Sequence, residues 1–183
     1  MQNKNIYRYP TIYIAAGNRC AGTWLKEILI YVLDGYRGHQ AHTTGPNGGN
    51  FDLNERIARH ISKKLYVICS HTPPKYSNKK IMDEYLKRYI ATIRDPRDVV
   101  VSYSNFLHNL NISQTINRVT TKKLICHTSK KNSLDIEILG SWKLNYISWR
   151  DGVEKMPKII IRYEDLIYNT YKTKLKILNF LST

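Results

Sequence analysis

The sequence predicts an α/β protein with a central parallel sheet flanked by helices. Four short apolar segments, at residues 11–16, 65–69, 89–93 and 158–162, alternate with stretches of helical spacing. Three of the four are followed directly by residues suited to holding a ligand, which is where a parallel sheet opens its crevice. Strand–helix–strand alternation of this kind closes by right-handed crossovers.

The first unit runs from Thr11 to Asp34, TIYIAAGNRCAGTWLKEILIYVLD. It reads as a buried strand, a small-residue turn from Gly17 to Gly22, and a helix in which Trp24, Leu25, Ile28, Leu29 and Val32 recur at helical spacing. In such a turn, successive backbone N–H groups converge on an anion, and the first turn of the helix adds unsatisfied donors and the positive end of its dipole. Gly17 and Gly22 have the spacing of a nucleotide-hydrolysing P-loop, but Thr23 and Trp24 follow where Lys and Ser or Thr are required. Arg19 supplies a charge inside the loop instead, and the Trp24 indole is placed to pack on a purine. The competing reading is a tight strand-to-helix turn with a core Trp.

This loop resembles the donor-binding loop of sulfotransferases that use 3'-phosphoadenosine-5'-phosphosulfate, P-K-S-G-T-T-W-L, aligned with Asn18-Arg19-Cys20-Ala21-Gly22-Thr23-Trp24-Leu25. The last three residues are kept, and Arg19 takes the place of Lys. The resemblance implies a three-layer fold like that of P-loop nucleotide-binding proteins. It also implies donor binding by Arg19, Cys20, Ala21, Gly22, Thr23 and Trp24, with Arg19 neutralising the leaving phosphate.

Residues 35–50 hold five of the nine glycines and Pro46, so a long loop is expected there. His39 and His42 lie in it without a nearby carboxylate or Cys, which fits exposed loop histidines better than a metal site. Asp52 to Lys64 returns to helical spacing through Leu53, Ile57 and Ile61.

Leu65 to Cys69 has the profile of a buried parallel strand and leads into Ser70-His71-Thr72-Pro73. A histidine just past a strand's carboxyl end faces the ligand crevice. The segment is similar to the family's K-T-H-x-P, whose histidine is the acid–base group, and this implies that His71 is the catalytic base. Cys69 stands at the family's Lys position, and the competing reading is a loop histidine set by the two prolines.

Tyr89 to Ile93 is the next strand. Asp95 then serves as N-cap, Pro96 suits the first helical position, and Asp98 complements the dipole of a helix that continues through Phe106. Arg94 to Phe106 closely resembles the sulfotransferase segment R-N-P-x-D-V-x-V-S-x-Y-x-F. Its strand-end Arg and helical Ser, here Arg94 and Ser102, hold the donor's 3'-phosphate. A planar guanidinium fork with a neutral hydroxyl suits a terminal phosphate.

Asn109 to Ser133 is polar and without clear period, and reads as a surface excursion. A helix is expected from Leu134, bringing Ile138, Leu139, Trp142, Tyr146 and Trp149, and the two tryptophans read as structural. Lys158 to Arg162 is a strand, and Tyr163-Glu164-Asp165-Leu166 resembles the family's Y-E-D-[LM], which implies that Tyr163 approaches the adenine. Tyr168 to Thr183 closes the chain as an amphipathic helix.

The 183 residues suit one sulfotransferase-like domain spanning 1–183, and the family's C-terminal Arg-Lys-Gly segment has no counterpart. Lys and Arg total 29 against 14 acidic residues, a net charge of +15 that favours anionic partners or a solvated basic surface. Three widely spaced cysteines indicate neither a disulfide framework nor zinc. No signal peptide or membrane span is visible, so a cytoplasmic protein is expected. The resemblance implies a nucleotide donor, a small-molecule or carbohydrate acceptor with a hydroxyl or amine, and no metal or redox cofactor. A homodimer is one source of further basic residues. A P-loop kinase, a nucleotide-binding relative without turnover, and a basic nucleic-acid-binding module are the alternatives. The kinase lacks its loop Lys here, and no recognised nucleic-acid motif occurs.

Overall fold

The computed structural model describes residues 11–17, 19–33, 36–37, 66–70, 76–86, 88–106, 111–120, 125–127, 137–139, 141–151 and 156–182. The elements are β1 (Thr11–Ala16), α1 (Gly22–Leu33), β2 (Tyr36–Arg37), β3 (Tyr66–Ser70), α2 (Tyr76–Tyr85), β4 (Tyr89–Ile93) and α3 (Pro96–Phe106). They continue with α4 (Ile112–Thr120), β5 (Ile125–His127), β6 (Glu137–Leu139), α5 (Trp142–Asp151), β7 (Lys158–Arg162), α6 (Tyr163–Tyr168) and α7 (Thr170–Ser182).

Five strands form one sheet in the order β2-β3-β1-β4-β7, and every pairing is parallel. This is the expected parallel α/β fold with one strand more than the four apolar segments, because β2 lies within the glycine-rich stretch. β1 is buried along its whole length. Its alternate residues feed two cores: Tyr13 and Ala15 join Met82 and Trp149, whereas Ile12, Ile14 and Ala16 join Leu25, Leu29, Leu166 and Ile177. The sheet is therefore the middle of three layers, with α1, α6 and α7 on one face and α2 and α5 on the other. A strand covered on both faces has no polar side to show, hence the continuous apolar run.

Two local expectations change. Residues 137–139 are a strand paired antiparallel with β5, not the first turn of a helix. The helix begins after Ser141, whose Oγ accepts from the Leu144 N–H at 3.1 Å while its carbonyl accepts from the Asn145 N–H at 2.9 Å. The polar stretch 109–133 also contains a helix, α4. It opens with a reciprocal capping box: the Gln114 N–H donates to Asn111 Oδ1 at 2.8 Å, and the Asn111 N–H donates to Gln114 Oε1 at 3.0 Å. Most of the glycine-rich stretch 35–50 with its two histidines, the helix expected over 52–64 and the paired lysines at 122–123 and 130–131 lie outside the described residues.

Strand order decides what meets at the carboxyl edge. β1 lies between β3 and β4, with Ala15 opposite Ser70 and Ala16 opposite Thr92. β4 lies beside β7, with Ile93 opposite Arg162. The loop after β1, the residue after β4 and the first residue after β7 consequently emerge side by side. Trp149 secures α5 below them, with its ring centroid 5.6 Å from that of Tyr13 and 5.2 Å from that of Tyr89.

Candidate functional site

The β1–α1 turn is shaped by two non-glycine residues in the left-handed region, Arg19 at φ 60° and Ala21 at φ 65°. Each such residue costs about 1 kcal/mol or more, a strain characteristic of functional turns. The turn closes with the Cys20 N–H donating to the Gly17 carbonyl at 3.2 Å, and α1 begins with the Leu25 N–H donating to the Ala21 carbonyl at 2.9 Å. Ala21 is therefore the N-cap, and a methyl group cannot cap. Among the described residues no side chain caps the N–H groups of Gly22, Thr23 and Trp24, and such first-turn donors suit an external acceptor.

Gly22 is required where it stands. A Cβ there would lie 2.4 Å from the Ala16 Cβ and 2.5 Å from the Cys69 Sγ. The helix start is thus pressed directly onto β1 and β3.

Arg94 follows β4 and crosses to this turn. Its Nη1 donates to the Arg19 carbonyl at 3.2 Å, and its guanidinium carbon lies 4.0 Å from the centroid of the Tyr163 ring. Its Nε is buried and has no hydrogen-bond partner among the described residues. The Arg94 carbonyl accepts from Trp142 Nε1 at 2.9 Å. The next residue, Asp95, caps α3 as expected, its Oδ1 accepting from the Arg97 N–H at 2.8 Å. The Arg97 side chain adds bonds of 3.0 and 2.7 Å to the same carboxylate, and these hydrogen bonds hold its pKa down at about 2.

Arg19 points along the loop's open side. Its Nε donates to Ser102 Oγ at 3.1 Å, and its guanidinium carbon lies 4.8 Å from the Phe106 ring centroid. Cys20 turns inward instead. Burial pushes its thiol up to about 12 against the opposing pull of the Arg94 backbone N–H and charge, so it remains a neutral thiol beneath the loop.

These residues line a cavity of about 670 Å³ bounded by Arg19, Cys20, Ala21, Gly22, Thr23, Trp24, Arg94, Ser102, Tyr103, Phe106, Tyr163 and Ile167. Every expected donor-binding residue is on that wall. His71 lies outside the described residues, although Ser70 ends β3 beside β1. Tyr103, Phe106 and Ile167 were not among the expected site residues. For two of them a signal existed: Phe106 follows Ser102, and Ile167 follows Tyr163, by one helical turn on the same face. Trp142, expected to be structural, braces the backbone of Arg94.

A strained glycine-bearing turn leading into a helix, with two arginines beside it at the carboxyl edge of a parallel sheet, gives an α/β protein of the P-loop-like kind. The chain belongs to the sulfotransferase family, since the sulfotransferase domain profile matches residues 9–183. Among solved structures it is similar to mouse sulfotransferase SULT7A1 complexed with PAP, with a TM-score of 0.65 and 19% identity over 94% of this chain and 58% of that chain. That likeness concerns the fold, and this chain spans little more than half of that relative. No curated protein matches the chain.

Proposed function

We propose that this chain is a single-domain cytoplasmic enzyme that takes a sulfuryl group from 3'-phosphoadenosine-5'-phosphosulfate and passes it to a hydroxyl or amine of a small-molecule or carbohydrate acceptor. The observation that carries the reading is the convergence of Arg19, Arg94, Ser102 and the start of α1 on one cavity. The Arg94 Nε supports it, because a buried guanidinium donor calls for an acceptor and none is present among the described residues. Family membership and the PAP-bound relative of the same fold favour this donor over other nucleotides.

The residues divide the work by position. The N–H groups of Gly22, Thr23 and Trp24 meet the 5'-phosphosulfate, Arg94 and Ser102 meet the 3'-phosphate, and Trp24 and Tyr163 flank the adenine. His71 takes the acceptor proton as the acceptor oxygen or nitrogen bonds to sulfur and the sulfur–oxygen bond to the donor's 5'-phosphate breaks. An imidazole near neutral pKa suits that step. Positioning and charge neutralisation supply most of the rate in such transfers, so little covalent chemistry falls to the protein.

Calorimetric titration with adenosine 3',5'-bisphosphate, ATP and an RNA oligomer tests the reading. The bisphosphate is expected to bind most tightly. Preference for ATP would support a kinase, and preference for RNA a nucleic-acid module. Tight bisphosphate binding without sulfuryl transfer to any hydroxyl or amine acceptor would indicate a relative without turnover.

A further inference from the structure

Helices α6 and α7 turn an apolar and basic ridge to solvent. They are joined by the single residue Asn169, and helical hydrogen bonding runs on through it: the Asn169 N–H donates to the Asp165 carbonyl at 3.0 Å and the Thr173 N–H to the Asn169 carbonyl at 2.9 Å. Toward the sheet, α7 buries Thr173, Ile177 and Leu181. Away from it stand Tyr168, Tyr171 and Leu175, which are 82%, 77% and 43% exposed, and Ile167, 44% exposed, extends the ridge to the rim of the cavity. Lys172 and Lys176 follow one flank at helical spacing and Lys174 stands on the other, all three exposed. Residues 166–183 hold no acidic side chain, and none of these lysines makes an ion pair among the described residues. The acidic residues nearest in sequence, Glu164 and Asp165, are half-buried, and Glu164 is paired with Arg162 at 3.4 Å.

We propose that this ridge docks the protein on an anionic phospholipid surface. The inference goes beyond the donor assignment and does not rest on it. Charge complementarity selects the occupant. A second copy of the chain packed on the same face would set these lysines against their own counterparts, on a protein already carrying a net charge of +15. A nucleic acid would satisfy the lysines and stack on the tyrosines, but it offers no apolar layer to Ile167 and Leu175. A bilayer interface takes both kinds of side chain. The tyrosine rings sit at headgroup level, the aliphatic groups reach the acyl boundary, and the lysine stems lie along the surface with their ammonium groups on lipid phosphates and carboxylates. Apolar burial and attraction to anionic headgroups then add on one helix face.

The test is co-sedimentation of the full chain with vesicles of phosphatidylcholine alone and of phosphatidylcholine mixed with phosphatidylserine. The parent is expected to bind the mixed vesicles and to bind phosphatidylcholine at least about ten-fold more weakly. Lys172→Gln with Lys176→Gln should weaken binding to the mixed vesicles about ten- to thirty-fold, from the attraction typical of a lysine near an anionic surface. Tyr168→Gln with Tyr171→Gln removes no charge, keeps helix-forming residues at two exposed positions, and should still cost about ten-fold. Lys80→Gln with Lys143→Gln removes the same charge from exposed positions on α2 and α5, across the sheet, and should change binding by less than about two-fold. Absence of binding to the mixed vesicles overturns the proposal. So does an equal loss in the Lys80 and Lys143 variant, which would assign the binding to diffuse charge, or an unaffected tyrosine variant. Sedimentation equilibrium and titration with an RNA oligomer complete the test: self-association lost in the tyrosine variant would give the ridge to a second copy, and tighter RNA binding weakened by the same variants would give it to nucleic acid.

Discussion

Trp142 donates its indole N–H to the main-chain carbonyl of Arg94 at 2.9 Å, joining the start of α5 to the residue that follows β4. The bond spans 48 residues of sequence. It fixes the backbone from which the Arg94 guanidinium reaches Tyr163 and the β1–α1 turn.

Trp142→Phe keeps most of the ring and removes the donor. It is expected to lower stability by about 1 kcal/mol. It should also weaken adenosine 3',5'-bisphosphate, because Arg94 is no longer held. Urea unfolding and calorimetry read the two effects separately. A stability loss with unchanged affinity would show that Trp142 braces the fold without positioning Arg94.

Gly22→Ala introduces a Cβ 2.4 Å from the Ala16 Cβ and 2.5 Å from the Cys69 Sγ. The Ala16 Cβ is fixed to backbone and cannot swing away, so overpacking of about 1–3 kcal/mol is expected. Combining Gly22→Ala with Cys69→Ala should recover only part of that loss. Full recovery in urea unfolding would mean that the thiol alone sets the limit.

Ala21 has φ 65°, a region that glycine enters without steric cost. Ala21→Gly is expected to stabilise the protein by roughly 0.5–1 kcal/mol, because relief of left-handed strain exceeds the extra entropy of glycine in the unfolded chain. Ala21→Val should do the opposite. A lower unfolding midpoint for the glycine variant counts against strain in this turn.

The Asp95 carboxyl has its pKa lowered from 3.8 to about 2, chiefly by side-chain and then backbone hydrogen bonds from Arg97. A folded pKa below the unfolded one means stability that is complete above 3.8 and lost as pH falls from 3.8 through about 2. Asp95→Asn keeps a capping oxygen but cannot ionise. The melting temperature of the parent should therefore fall more steeply than that of the variant across this window. Parallel curves would remove Asp95 from the acid response.

His71→Ala is expected to lower turnover by roughly 10² to 10⁴ while leaving adenosine 3',5'-bisphosphate affinity nearly unchanged. Steady-state kinetics beside calorimetry separate the two quantities. Equal losses in both would make His71 a structural residue.

Much of the site was legible because its parts are local. A strand followed by Arg94, Asp95 and Pro96 specifies a capped helix start, since cap, fixed proline φ and dipole act within one turn. The β1–α1 turn was legible for the same reason. The α4 capping box was equally local, but its polar surroundings hide the helical period. The expected helix from Leu134 failed because apolar residues 138 and 139 fit a strand as well as a helix, and Ser141 decides where the helix begins.

By itself, then, the sequence determined the strand–turn–helix units and which polar and basic residues stand at their ends, because dihedral preference and hydrogen bonding act between near neighbours. The tertiary structure decided which ends adjoin. It set β1 between β3 and β4, crowded Gly22 against Ala16 and Cys69, and carried Arg19 to Ser102 across 83 residues of chain. Those contacts follow from strand order and packing between distant segments, which no local spacing encodes.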